Sequence, residues 1–279
     1  MKLIRFVMFP LVVLAFVSCA PLNTQTKPSS AGGADPPSTG TLRGDAKLII
    51  TSDKNDVRLW DRPPRVLILS TDDRVETMMA AIREKIEGAV RSPFGGPFFS
   101  SWTYRKLTGP PELEAAPNYF YVAKDDELVA QIKLAYPKGV DEHYDIVVLV
   151  GDRLTMSLYN SLWGLDARAS RRMAAGRQLS CHYSVISKHG VRLGAYAAVL
   201  ATETDAILQA CLWEEFLHTL GPLTDAKGTP YFSFNDNADD EGLQENDLLL
   251  IRALYESGAK PGDPPDKALD YLEQLFATQ

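Results

Sequence analysis

The stretch DAILQACLWEEFLHTL, residues 205–220, constrains this chain more than any other. Projected at about 100° per residue, it lines Ile207, Cys211, Glu214, Glu215 and His218 along one face and spreads Leu208, Leu212, Trp213, Phe216, Leu217 and Leu220 around the rest. A helix that is apolar nearly all round belongs in an interior, so the rest of the chain must supply layers that wrap it. Its two adjacent carboxylates and its histidine need company there, because an uncompensated buried charge is expensive. A basic side chain such as Arg177 or Arg192 near the hairpin, a bound proton or a metal each meets that need. Both glutamates also fit the rim of the core, or the cap of a neighbouring element.

The 279 residues, 45% apolar and 23% charged, hold enough core-forming material for the wrapping. A net charge of -7 has the wrong sign for a general nucleic-acid binder, which excludes DNA and RNA as default partners. Residues 57–70 read as a strand, with Pro63-Pro64 forcing an edge position or a break, and residues 73–90 as a helix. SPFGGPFF reads as a loop, SWTYRKL and NYFYVA as strands, and DDELVAQIKLAY as a helix. The run DIVVLVG at 145–151 has the unbroken apolar character of a buried strand, and a helix is expected over 152–163. LSCHYSVIS and VRLGAYAAVLAT, joined by Lys188-His189-Gly190, form an antiparallel hairpin pattern. Helices are expected at 205–221, 246–257 and 265–277. Interleaved strands and helices with a helical C-terminal third predict an α+β class with one mixed β-sheet.

At the N-terminus, Lys2 and Arg5 precede an apolar run that stops at Ser18-Cys19, the pattern of a secretory signal peptide. The polar, Pro/Ser/Gly-rich residues that follow lack the large apolar side chains needed to fold. An ordinary secretory signal satisfies these facts. Val17-Ser18-Cys19-Ala20 also resembles the lipobox of bacterial lipoproteins, with Phe16 in place of the usual Leu. That resemblance implies a signal peptide over 1–18, lipid on Cys19, a disordered tether over 19–45 and a folded part from Ala46 to residue 279. Acyl chains would supply the membrane attachment, at about 0.8 kcal/mol per buried methylene. With Ala20 rather than Asp after the Cys, the implied location is the cell envelope, at the outer membrane facing the periplasm.

The string EEFLHTLG resembles the HExxHxLG helix of metzincin zinc peptidases. On that likeness Glu214 replaces the first ligand, Glu215 is the general base, His218 is the second ligand and Gly221 ends the helix. The third-ligand position falls on Thr224, with Asp225 one residue late, and Phe234 stands where a Met-turn residue would sit. Cys211, Glu214-Glu215, Leu220-Gly221, Asp225, Phe234-Asn235-Asp236 and Asp247 to Tyr255 followed by Lys260-Pro261-Gly262 are also similar to an uncharacterised proteobacterial family, domain of unknown function family 2927. Its members include lipoproteins. That family usually carries Gln where this chain has His218. The combined resemblance implies a single metzincin-like domain over 46–279 around an active-site-like central helix.

Glu214 and His218, spaced i and i+4, offer two zinc ligands, and zinc needs three or four. His182, His189 or Asp225 would have to complete the set. Asn235, Asn237 and Asp239 are spaced like early calcium ligands, but Asp240 and Asn246 fall where that loop needs Gly and Glu. With Cys19 taken by lipid, Cys181 and Cys211 are the remaining pair in an oxidising compartment, which predicts a disulfide, with two buried free thiols as the alternative. The leading expectation is a lipid-anchored envelope protein of decayed zinc site, without cofactor, acting as a binding or scaffold module for an envelope protein or peptide. The alternative is an active zinc metallopeptidase with an atypical Glu/His site.

Overall fold

RVLILS and IVVLVG are apolar without alternation, as strands covered on both faces must be. In the computed structural model, which describes residues 36–51, 53–108, 144–153, 155–156, 181–201, 203–234 and 245–278, they form two inner strands of one sheet. The described elements are α1 (Leu42–Ile50), β1 (Arg65–Ser70), α2 (Arg74–Ala89), β2 (Ser101–Lys106), β3 (Ile146–Gly151), β4 (Cys181–Lys188), β5 (Val191–Leu200), α3 (Asp205–Leu220), α4 (Glu245–Glu256) and α5 (Asp266–Ala277). The sheet order is β2-β1-β3-β5-β4. β2, β1, β3 and β5 run parallel, and β4 returns antiparallel to β5 through the expected hairpin. The fold is therefore α+β with one mixed sheet.

Side chains alternate across the sheet. Val66, Ile68, Ile146, Val148 and Ala197 face the main core, where α2 and α3 lie. Leu67, Leu69, Val147, Leu149 and Tyr196 face a second buried cluster on the other side. α3 packs across β4 and β5, and α4 and α5 close the main core behind it.

Pro63-Pro64 does break the 57–70 run. Only 65–70 join the sheet, while Leu59 bridges Val191 and Val57 exchanges hydrogen bonds with Gly262 and Asp263. This strap passes over Gly190, whose φ is +79° and where an added Cβ would lie 1.9 Å from the Gly262 nitrogen. Only glycine fits there.

Residues 36–45, assigned by composition to the tether, belong to the fold. Thr41 caps α1 by accepting from the Gly44 amide at 3.1 Å, and Ala46, Ile49 and Ile50 are buried. Asp45 is also buried, and accepts from the Ser38 hydroxyl at 2.7 Å and from the Thr39 amide and hydroxyl at 2.6 and 2.8 Å. Composition missed this helix because its apolar residues sit at its far end, behind Gly44 and a run of Ser, Thr, Pro and Gly. NYFYVA, DDELVAQIKLAY, the helix expected at 152–163 beyond Met156, and residues 1–35 with Cys19 lie outside the described residues. Among the described residues no helix is long and apolar enough to cross a membrane.

Candidate functional site

α3 is the helix expected from its periodicity. Thr204 caps its first turn and Gly221 ends it, where an added Cβ would meet the Leu254 side chain at 2.3 Å. Leu208, Leu212, Trp213, Phe216, Leu217 and Leu220 are all buried, and the polar face turns toward β4. Glu214 is partly exposed, Glu215 and His218 are buried.

The loop after α3 brings Asp225 to this face. His218 Nε2 and Asp225 Oδ1 are 3.0 Å apart, and ligand atoms of Glu214, His218 and Asp225 all lie within 4.8 Å of one another. Thr224, at the position expected for a third ligand, is turned away and donates its hydroxyl to the Leu48 carbonyl at 2.6 Å. That bond, with the Leu223 amide on the Ile49 carbonyl at 2.6 Å, pins the loop to α1 so that the next side chain points inward. His182 does not join the cluster. It lies beside Tyr196, 5.7 Å between ring centroids, on the opposite sheet face from Tyr183. His189 occupies the hairpin turn with φ at 52°.

Aromatic rings enclose the imidazole. Tyr183 of β4 stacks on His218 at 4.0 Å between centroids and 11° between planes, and Phe234 meets it at 4.9 Å and 62°. Phe234 thus packs against His218. Tyr183 also donates to the Leu223 carbonyl at 2.5 Å. The sequence reading did not single out Tyr183; the signal that could have found it was β-strand alternation from Cys181, which places both side chains toward α3.

Cys181 and Cys211 form the expected disulfide, with Cα atoms 5.7 Å apart, and so join β4 to α3 on the same side as the cluster.

A helix leaves its last carbonyls without intrahelical partners; here the Gly221 amide meets that of Leu217, and side chains from distant segments meet those of His218, Thr219 and Leu220. Arg192 donates to the carbonyls of His218 at 2.7 Å, Gly221 at 2.9 Å and Pro222 at 3.3 Å, and its Nε to Arg58 at 2.9 Å. Trp60 Nε1 donates to Thr219 at 3.0 Å and the Tyr255 hydroxyl to Leu220 at 2.5 Å. Arg192 was a candidate partner for the glutamates; it serves the helix end instead, where the negative pole of the helix offsets its charge. Burial lowers its pKa to about 10 and raises that of Tyr255. The other candidate, Arg177, lies outside the described residues. Asp247, fully buried on α4, accepts from Trp213 Nε1 at 2.9 Å and from the Ser233 amide and hydroxyl at 3.0 and 2.6 Å. It thereby fixes α3 to the segment that ends in Phe234. The calcium-like spacing over 235–240 lies outside the described residues.

One imidazole and two carboxylates suit zinc, which takes nitrogen and oxygen ligands and needs three from the protein when a fourth position is kept open. The residues present therefore fit the metal that the helix motif implies.

A family model described as Protein of unknown function (DUF2927) matches residues 123–274, more than half of the chain, and the chain belongs to that family. No curated protein and no solved structure matches it.

Proposed function

We propose that this family member is a lipid-anchored protein of the bacterial cell envelope, probed by its surroundings through a domain of zinc-peptidase-like build whose Glu214, His218 and Asp225 hold a zinc ion for binding rather than turnover. The observation that carries the reading is the arrival of Asp225 within 4.8 Å of the other two donors. It supplies the third ligand that Glu214 and His218 lack. The case for binding over turnover rests on access: His218 is 1% exposed and Asp225 6%, with Tyr183 and Phe234 packed on the imidazole, so the fourth position that three protein ligands leave open meets solvent beside the partly exposed Glu214 alone among the three donors. A mixed sheet, a central helix carrying the motif and a helical C-terminal part support the peptidase-like build. Zinc held there would supply Lewis-acid polarisation of a carbonyl group. The chain's own part is to hold the imidazole in one orientation and to keep water from Asp225.

Glu215 favours a second reading, an active metallopeptidase. It is buried directly after Glu214, at the position where the motif places a general base. One experiment separates the readings: metal analysis of the purified protein beside a peptide-hydrolysis assay with and without chelator, on wild type and Glu215→Ala. Near-stoichiometric zinc without chelator-sensitive hydrolysis supports the binding module. Hydrolysis lost in a Glu215→Ala variant that still folds supports the enzyme, and absence of zinc from protein offered the metal rejects both.

A further inference from the structure

We propose that the Cys181–Cys211 disulfide is a redox latch over the His218–Asp225 pair, opened by a dithiol reductant. Cys181 and Tyr183 are two residues apart on β4 and so point the same way, and Cys211 and His218 are two turns apart on one stripe of α3. The disulfide and the Tyr183–His218 stack are therefore two rungs of a single β4–α3 contact. Glu214 and Glu215 lie on α3 between those rungs. Cutting the first rung leaves the ring stack and the Tyr183 hydroxyl bond to Leu223 to hold the cover on the imidazole. The β4–β5 ladder is backbone pairing in the plane of the sheet, from Cys181↔Val199 to Lys188↔Val191, whereas the disulfide leaves the sheet face toward α3, so reduction removes no ladder bond.

The chemistry is thiol–disulfide exchange. Cys181 is partly exposed, whereas Cys211 is buried. A thiolate of the dithiol attacks the Cys181 sulfur, the protein S–S bond breaks, and Cys211 leaves as a thiolate that takes up a proton. The second thiol of the reductant then displaces Cys181 from the mixed disulfide. Two electrons pass to the protein, which gains two thiols, and the reductant ends as a cyclic disulfide. Any effect on bound metal rests on the zinc reading above; the uncovering of His218 does not.

The test uses the full chain in detergent micelles, treated with chelator, and reads acylation of each histidine by diethyl pyrocarbonate with mass-spectrometric mapping. His218 is expected to be inert in the oxidised protein and to react at least about tenfold faster after dithiol treatment or in a Cys181→Ser/Cys211→Ser variant, as a local opening would allow. His182, held against Tyr196 on the other sheet face, should stay protected, and reoxidation should restore protection to His218. Equal His218 rates in both redox states overturn the latch. His182 and His218 becoming reactive together also overturn it, since that is unfolding rather than opening. A parallel titration of the oxidised protein with zinc alone judges the metal reading separately: failure to bind zinc there leaves the acylation result to decide the latch.

Discussion

His218 and Asp225 face each other at 3.0 Å across the end of α3, each nearly removed from water. They stand seven positions apart in the chain, and the loop between turns back because Thr224 and Leu223 are bonded to α1. A buried imidazole and a buried carboxylate satisfy one another there, and each offers a ligand atom within 4.8 Å of one from Glu214.

Asp225→Asn keeps a hydrogen-bonding side chain of the same size and removes the charge. It is expected to weaken zinc binding by about 100-fold while changing thermal stability little, since ligand loss acts on the metal first. A competition titration against a chromogenic chelator measures this, and an unchanged affinity removes Asp225 from the donor set.

Arg192→Leu strands the carbonyls of His218, Gly221 and Pro222 inside the core. A loss of about 3 kcal/mol or more is expected from several unmet acceptors. Arg192→Lys should recover only part of it, because a single ammonium cannot reach the same spread of oxygens as the planar guanidinium. Denaturant unfolding of both variants checks the order.

Acid should act on the join between α1 and the residues before it through Asp45. Burial pushes its carboxyl up, but hydrogen bonds from Ser38, Thr229 and Thr39 together outweigh that and hold it below the ordinary carboxylate range. Its stabilising contribution is thus complete above the unfolded carboxylate's pKa and is lost as pH falls through the lower folded value. Asp45→Asn should be less stable at neutral pH and show a flatter loss of stability on acidification. Unfolding midpoints across the acid range give the comparison; parallel curves for the two proteins contradict it.

If Cys19 carries lipid as proposed, Cys19→Ser is expected to move the protein from the membrane fraction to the soluble periplasmic fraction, since acyl chains would then supply the attachment. Retention of the variant on membranes after a high-salt wash places the anchor elsewhere.

Much of the fold was legible because its signals are local. One inner strand showed as the unbroken apolar run at 145–151, the other as the part of the 57–70 run that follows Pro63-Pro64, and α3 as an all-round apolar helix ending at Gly221. The disulfide followed from having two cysteines left to pair. The site's assembly was not legible, because it depends on contacts between distant segments. Asp225 reaches the helix through a hydroxyl bond from Thr224 to Leu48, 176 residues earlier. Arg192 looked like a partner for carboxylates because charge is visible in a sequence, whereas an unmet helix carbonyl is not. α1 escaped notice for a related reason: its one buried face consists of only a few apolar residues, and its stability comes from packing on α5 and from the Asp45 bonds.

The bridge between Pro37 and Lys227 has a mechanical meaning. The Ser38 amide donates to the Lys227 carbonyl at 2.9 Å and the Lys227 amide to the Pro36 carbonyl at 3.0 Å, two residues beyond Asp225. Any load drawn through the chain upstream of residue 36 is therefore delivered at the rim of the His218 cluster, before it reaches α1 or the sheet. With the proposed tether upstream, whatever holds that tether would also set which way the His218 cluster faces and how firmly it is braced.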